Sequence, residues 1–194
     1  MLLLSLAGCT GRPDVANLDS TGQSVICFGD SLTAGMGASS GHEYPTLLAS
    51  GLAREVINAG VSGDTTRDGL QRLETDVLAR NPRLVIVEFG GNDFLQQLPR
   101  QETFANLDEI IRRIQERGAM VVLVGVQPGL LGDAARGEYR RVARARRAVF
   151  VPNILDGILT APGLKSDELH PNDLGYEEMT QRILKVVRPL LEGR

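Results

Sequence analysis

The chain has 194 residues, 42% hydrophobic and 23% charged, which suits one domain with a sizeable core. Its formal net charge of -3 supplies no global pull toward nucleic acid, and 4% aromatic residues with no Trp argue against a broad stacking platform for bases or sugars. The two cysteines, Cys9 and Cys27, lack the Cys/His spacing of a zinc site, and Cys27 sits in the apolar run Val25–Phe28 as a small buried hydrophobe, so no disulfide between them is expected.

In chain order, Met1 to Ala7 is apolar and meets Gly8-Cys9. The run is far shorter than the ~20 residues a bilayer span needs, and it lacks the basic start of a signal peptide. Leu6-Ala7-Gly8-Cys9 resembles a bacterial lipobox, in which the cysteine is lipidated and becomes the mature N-terminus; Met1 would then lie inside a longer signal peptide. Thr10 to Gly22 is polar, with Gly, Pro, Asp and Asn, and reads as a flexible tether. Residues 1–22 are therefore expected to be signal remnant and tether, and 23–194 the folded domain.

Strands are predicted at Val25–Phe28, Glu55–Asn58, Leu84–Phe89, Met120–Val126 and Val149–Val151. Each is mostly continuous apolar, as in a parallel sheet covered on both faces. Helical spacing fills the gaps: Tyr44, Leu47, Leu48 and Leu52; then Leu70, Leu73, Val77 and Leu78, stopped by Asn81-Pro82. Phe104, Leu107, Ile110, Ile111 and Ile114 follow, stopped by Gly118, and a last helix runs from about Leu174 to Leu191. Strand alternating with helix implies an α/β sandwich, with ligands bound at the carboxyl ends of the strands.

The loops at those ends carry polar groups: Gly29-Asp30-Ser31-Leu32, Asn58 to Thr65, Gly90-Gly91-Asn92-Asp93 and, before the last helix, Asp167 to Asn172. Acyl transfer needs a hydroxyl, an adjacent base, a carboxylate that holds the base's tautomer, and donors for the developing oxyanion. Ser31, His170 and Asp167 are candidates for the first three. The N–H of Ser31, the N–H of Gly63 and the Asn92 amide are candidates for the fourth. Singly, each block has a plainer reading: a helix cap at Asp30-Ser31, a turn at Gly90-Gly91, a surface loop at Asp167–His170. His42 is assigned no role.

Together and in this order, the blocks resemble the SGNH (GDSL) hydrolase family, named for the Ser, Gly, Asn and His of four motifs. Phe28–Gly35, Asn58–Leu73, Val87–Asp93 and Leu169–Asn172 carry the likeness, which spans roughly Val25 to Leu191 and is nearest to the bacterial thioesterase I, lysophospholipase and arylesterase branch. The resemblance implies a three-layer, flavodoxin-like sandwich on a five-stranded parallel sheet. It implies Ser31 as nucleophile, His170 as base and Asp167 as its orienter, with oxyanion donors Ser31, Gly63 and Asn92. Gly60 competes with Gly63 for the glycine donor; the Ser-Gly-Asp-Thr turn favours Gly63. No metal or organic cofactor is implied.

The implied substrates are small-molecule or lipid esters and thioesters, at the bacterial cell envelope, periplasmic or tethered to the outer membrane through Cys9, or else secreted. Gln127–Ala134 is expected to line the substrate. The basic run Arg140–Arg147 reads as a solvated helix face, with contact to anionic lipid as the alternative. Competing functions are a carbohydrate O-deacetylase on the same fold, a non-catalytic acyl- or glycan-binding lipoprotein and a flavodoxin-like nucleotide binder. The last would need a phosphate-cradling loop where Asp30 stands.

Overall fold

The computed structural model describes residues 14–126 and 132–192. Their elements run β1 (Ser24–Gly29), α1 (Ser31–Ala34), α2 (Tyr44–Leu52), β2 (Val56–Gly60), α3 (Thr66–Asp76), β3 (Pro82–Glu88), α4 (Gly91–Leu95), α5 (Arg100–Glu116), β4 (Met120–Val124), α6 (Gly132–Ala145), β5 (Val149–Val151) and α7 (Asp173–Glu192). The five strands pair in the order β2-β1-β3-β4-β5, every pair parallel.

The continuous apolar strands are explained by a core on each face. Successive side chains of a strand point to opposite faces. Val25, Cys27, Leu84, Ile86, Met120 and Val122 face one side, against Tyr44 and Leu48 of α2 and Tyr176, Met179, Ile183 and Val187 of α7. Ile26, Phe28, Val85, Val87, Val121 and Leu123 face the other, against Leu73 of α3, Leu107, Ile110, Ile111 and Ile114 of α5, and Tyr139 and Val142 of α6. Burying both faces of three central strands removes most of their apolar area from water, at roughly 25 cal/mol per Å².

Strand order places the site. From β1 the chain crosses to β2 on one side; from β3 it crosses to β4 on the other. The carboxyl ends of the neighbours β1 and β3 therefore open a crevice at the point where the winding reverses.

Several elements differ from their sequence reading. β2 extends to Gly60, in register with Gly29, because Asn58-Ala59-Gly60 continues the ladder instead of turning away. An added Cβ at Gly60 would sit 2.2 Å from Ala34 N, so glycine there lets α1 rest on the strand. β3 begins at Pro82, whose missing N–H is tolerated at a first strand position, and β4 ends at Val124. Gly91–Leu95 is a short helix where a turn was read, and α6 occupies Gly132–Ala145. Of the expected substrate-lining stretch, Gln127–Leu131 lies outside the described residues. The basic run closes against acids: Arg141 with Glu138, Arg146 with Asp108, and Arg147 with Asp14.

The tether expected over Thr10–Gly22 is anchored in its second half. Val15 is buried in the core, Ala16 N–H donates to Arg147 O at 2.9 Å, and the Asn17 amide donates to Gln115 O and Ala119 O at 2.8 and 3.0 Å. These contacts lie before β4 and β5, at the end of the sheet opposite the crevice.

Candidate active site

Ser31 is the first residue of α1, one step past the residue that follows β1. Asp30 caps the helix: its Oδ1 accepts the Leu32 N–H at 3.0 Å. The cap fixes the exit angle of the chain, so the Ser31 hydroxyl is presented at the sheet's rim.

The base arrives from far along the sequence. Leu164 to Pro171 folds back on itself: Lys165 and Pro171 pair as an antiparallel bridge, and Ser166 N–H donates to His170 O at 2.9 Å. Inside this loop Asp167 Oδ1 accepts the N–H of Leu169 at 2.7 Å and of His170 at 2.8 Å. The Leu169 N–H, the His170 ring and the His170 N–H hold the Asp167 carboxyl down at about 2. An ionised carboxylate can only accept, so His170 Nδ1 donates to Asp167 Oδ2 at 2.9 Å. That leaves the lone pair on Nε2, which lies 3.1 Å from Ser31 Oγ, with the hydroxyl as donor. Acid, imidazole and hydroxyl thus form one relay.

The acid of the relay is open to water. The Asp167 side chain is 54% exposed, against 18% for His170. Hydrogen bonds within its own loop orient it.

The oxyanion candidates sit on the opposite wall. Asn92 lies in the first turn of α4, and its Nδ2 donates to Asp64 O at 2.9 Å and to Asp30 Oδ2 at 3.2 Å. Gly90 caps that helix at φ +116°, and an added Cβ would meet Tyr139 Oη at 2.1 Å. Gly63 turns at φ +89° and, with Ser31, Asn92 and His170, lines a cleft of about 250 Å³. Gly60 is unsuited to the donor role: its N–H donates to Asn58 Oδ1 at 3.0 Å, and it is packed beneath α1. Asp30, Ser62 and Gly91 also border the cleft, and its other lining is apolar: Leu32, Met36, Leu95, Val126, Leu155 and Leu169.

Sequence reading passed over four residues that hold this geometry. Arg72 of α3 pairs with Asp64 at 2.6 Å, donates to Ala59 O and Gly29 O at 2.8 and 2.9 Å, and stacks its guanidinium over Phe28 at 4.5 Å. It ties the Gly63 turn to the ends of β1 and β2. Asp93 takes the Thr66 N–H at 2.9 Å and both Thr66 and Thr103 hydroxyls, which locks α4 against α3 and α5. Thr33 and Glu88 meet behind Ser31, with Thr33 Oγ1 donating to Glu88 Oε2 at 2.8 Å. Arg72 and Thr33 fall in ordinary helical positions, where spacing alone gives no signal. A carboxylate inside the apolar run Leu84–Phe89 was the one visible anomaly.

A hydroxyl, imidazole and carboxylate in relay, facing amide donors at the strand ends of a doubly wound sheet, define a serine hydrolase on a flavodoxin-like scaffold. The chain belongs to the GDSL-like Lipase/Acylhydrolase family, whose pattern it matches over residues 27–178. It is 30% identical to Esterase TesA of Pseudomonas aeruginosa over 98% of this chain and 100% of that one. It is 29% identical to Thioesterase 1/protease 1/lysophospholipase L1 of Escherichia coli K12 over 86% of this chain and 84% of that one. A crystal structure of TesA superposes with TM-score 0.82 at 30% identity, covering 87% of this chain and 99% of the other.

Proposed function

We propose that Ser31 attacks short- to medium-chain carboxylic esters or thioesters, aryl esters and lysophospholipids among them, with His170 as base and Asp167 holding the imidazole. Membership of the family makes the chain an ester-bond hydrolase. The assignment of roles is carried by the relay from Asp167 through His170 to Ser31, at the wall of an apolar cleft.

His170 Nε2 takes the Ser31 proton as Oγ bonds to the carbonyl carbon, and the C=O electron pair moves to oxygen. The N–H groups of Ser31 and Gly63 and the Asn92 amide receive that charge. Of the two Asn92 contacts, the 3.2 Å one to Asp30 is the longer, and it is the one an oxyanion can share. The imidazolium, stabilised by Asp167, then protonates the departing alcohol or thiol. Water attacks the acyl-enzyme by the same route in reverse and frees the acid.

The cleft's size and lining support an acyl chain as its occupant. At about 250 Å³ it falls just below the ~300–1,000 Å³ of drug-sized pockets. Leu32, Val126 and Leu155 offer an acyl tail contact. Acetylated sugars would leave hydroxyls facing this apolar wall.

The cellular setting is part of the proposal. Lipidation at Cys9 would hold the protein at the envelope, in the periplasm or on the outer membrane, and a secreted form is the alternative. Residues 14–22 dock at the strand ends opposite the cleft, so a tether there leaves the cleft unobstructed. No helix among the described residues is long and apolar enough to cross a membrane.

The test is turnover of a p-nitrophenyl ester panel of increasing acyl length, beside lysophospholipids and acetylated sugars, by the parent and Ser31→Ala. Loss of turnover with an unchanged circular dichroism spectrum is expected. Parental rates in Ser31→Ala would refute the assignment.

A further inference from the structure

Behind Ser31 lies a carboxyl group that the relay does not use. Glu88 ends β3 and is 1% exposed. Its Oε2 accepts from Thr33 Oγ1 at 2.8 Å and from the Asp30 N–H at 3.4 Å, while no N–H or hydroxyl among the described residues bonds to its Oε1. Facing it are Asp30 and, from the elements packed round it, Cys27 of β1, Tyr44 of α2, Tyr139 of α6 and Tyr176 of α7. Asp30 is itself 3% exposed and also faces His170 and Asp64.

Two carboxylates in so dry a place repel strongly, whereas one proton between them turns repulsion into a hydrogen bond. Burial pushes Asp30 up to about 6 and holds Glu88 well above the usual carboxylate range. Both Asp30 oxygens receive N–H donors while Glu88 Oε1 receives none, so Glu88 is the better place for that proton and Asp30 the better anion. An oxygen that bears its own proton needs no donor, which explains the bare Oε1.

Asp30 accepts the Leu32 N–H on Oδ1 and the Asn92 amide on Oδ2, and the Glu88 carboxyl group faces it from behind. The consequence falls on Asn92. A carboxamide has a donor face and an acceptor face of nearly equal shape, and only the donor face stabilises an oxyanion. Asp64 O and Asp30 Oδ2 are the two acceptors that select it.

We propose that Glu88 is a positioning residue: un-ionised, it gives its proton to the Asp30 carboxylate and so fixes the acceptor that turns the Nδ2 side of Asn92 toward the nucleophile. This rests on the oxyanion role of Asn92 given above.

The test is a mutant cycle with an infrared measurement beside it. Glu88→Leu removes the proton donor and should lower kcat about tenfold, with KM moving less than about twofold. In an Asn92→Ala background the same change should cost less than about twofold, because the group it acts through is gone. Glu88→Gln keeps both a donor and an acceptor and should stay within about threefold of the parent. At about pH 8, where Asp30 is ionised, the parent should show the C=O stretch of an un-ionised carboxylic acid, absent from Glu88→Gln.

Equal losses from Glu88→Leu in both backgrounds would make Glu88 merely structural and overturn the proposal. So would a Glu88→Gln protein as impaired as Glu88→Leu. Should Glu88→Leu fail to fold, the infrared band decides: its absence from the parent, or its persistence in Glu88→Gln, overturns the proposal without touching the role of Ser31. A parental rate in Asn92→Ala would instead remove the oxyanion reading itself.

Discussion

Two sets of carboxyl groups border the same serine, and their environments pull them in opposite directions. Asp167 is half exposed, yet converging N–H donors hold it down at about 2. Asp30 and Glu88 are sealed behind Ser31, and burial raises both. The contrast teaches that water access alone does not decide which acid is charged. Converging donors favour the charged form of Asp167, and exclusion of solvent favours the un-ionised form of Glu88. In the proposed reaction the exposed acid would serve the imidazole, and the buried pair the scaffold of the oxyanion donors.

Four changes test that division. The largest expected effect is on the exposed side. Asp167→Asn offers His170 a donor where it needs an acceptor, and kcat should fall about 10²–10³-fold, less than for a fully buried relay acid because water can partly replace the carboxylate. Steady-state kinetics on a p-nitrophenyl ester checks this; a change below tenfold would mean the loop's backbone alone orients the imidazole. Next comes Asn92→Ala, expected to lower kcat about 10²–10³-fold with little change in KM.

Arg72→Met follows, because it strips the partner from the half-buried Asp64 and from Gly29 O and Ala59 O. A loss of about 2–4 kcal/mol is expected from urea unfolding. The smallest effect is one of pH. Burial disfavours the charged form of Glu88 in the fold, whereas the unfolded chain ionises it above its ordinary value of 4.5. Its stabilising contribution is thus complete below that value and is lost as the pH rises, and Asp30, raised from 3.8 to about 6, changes with the same sign. Glu88→Gln should therefore melt close to the parent under acid conditions and several degrees above it under mildly alkaline ones. A gap that stays constant with pH would place the negative charge on Glu88 in the folded protein.

The same contrast explains what the sequence disclosed. β1, β3 and β4 were legible because both faces are buried and each carries four or more consecutive apolar residues. α5 was legible because Phe104, Leu107, Ile110, Ile111 and Ile114 all turn inward. α6 was legible only in part, as the solvated face Arg140–Arg147: its described buried positions are Ala135, Tyr139, Val142 and Ala143, too few to set an apolar pattern among so many arginines. α4 was hidden by Gly90-Gly91, which reads as a turn, although Gly90 is there to clear Tyr139.

In the site, Ser31, Asn92, Asp167 and His170 stood out as polar groups at strand ends. Their distances could not be read, since a separation of 139 residues between Ser31 and His170 is closed only by the sheet. Arg72 and Thr33 stayed silent because they act on backbone carbonyls and on Glu88, and such contacts leave no spacing in a sequence; Glu88 showed only as a carboxylate in an apolar run. The docking of Val15 and Asn17 was missed for a similar reason: one apolar and one amide side chain in a polar segment look like linker.

The most direct measurement is covalent capture by a fluorophosphonate, read by peptide mass spectrometry alongside residual turnover. One adduct on the peptide bearing Ser31, formed in step with loss of activity and much more slowly in Asp167→Asn, is the predicted result. An adduct on another residue, or full turnover by a protein labelled at Ser31, would contradict it.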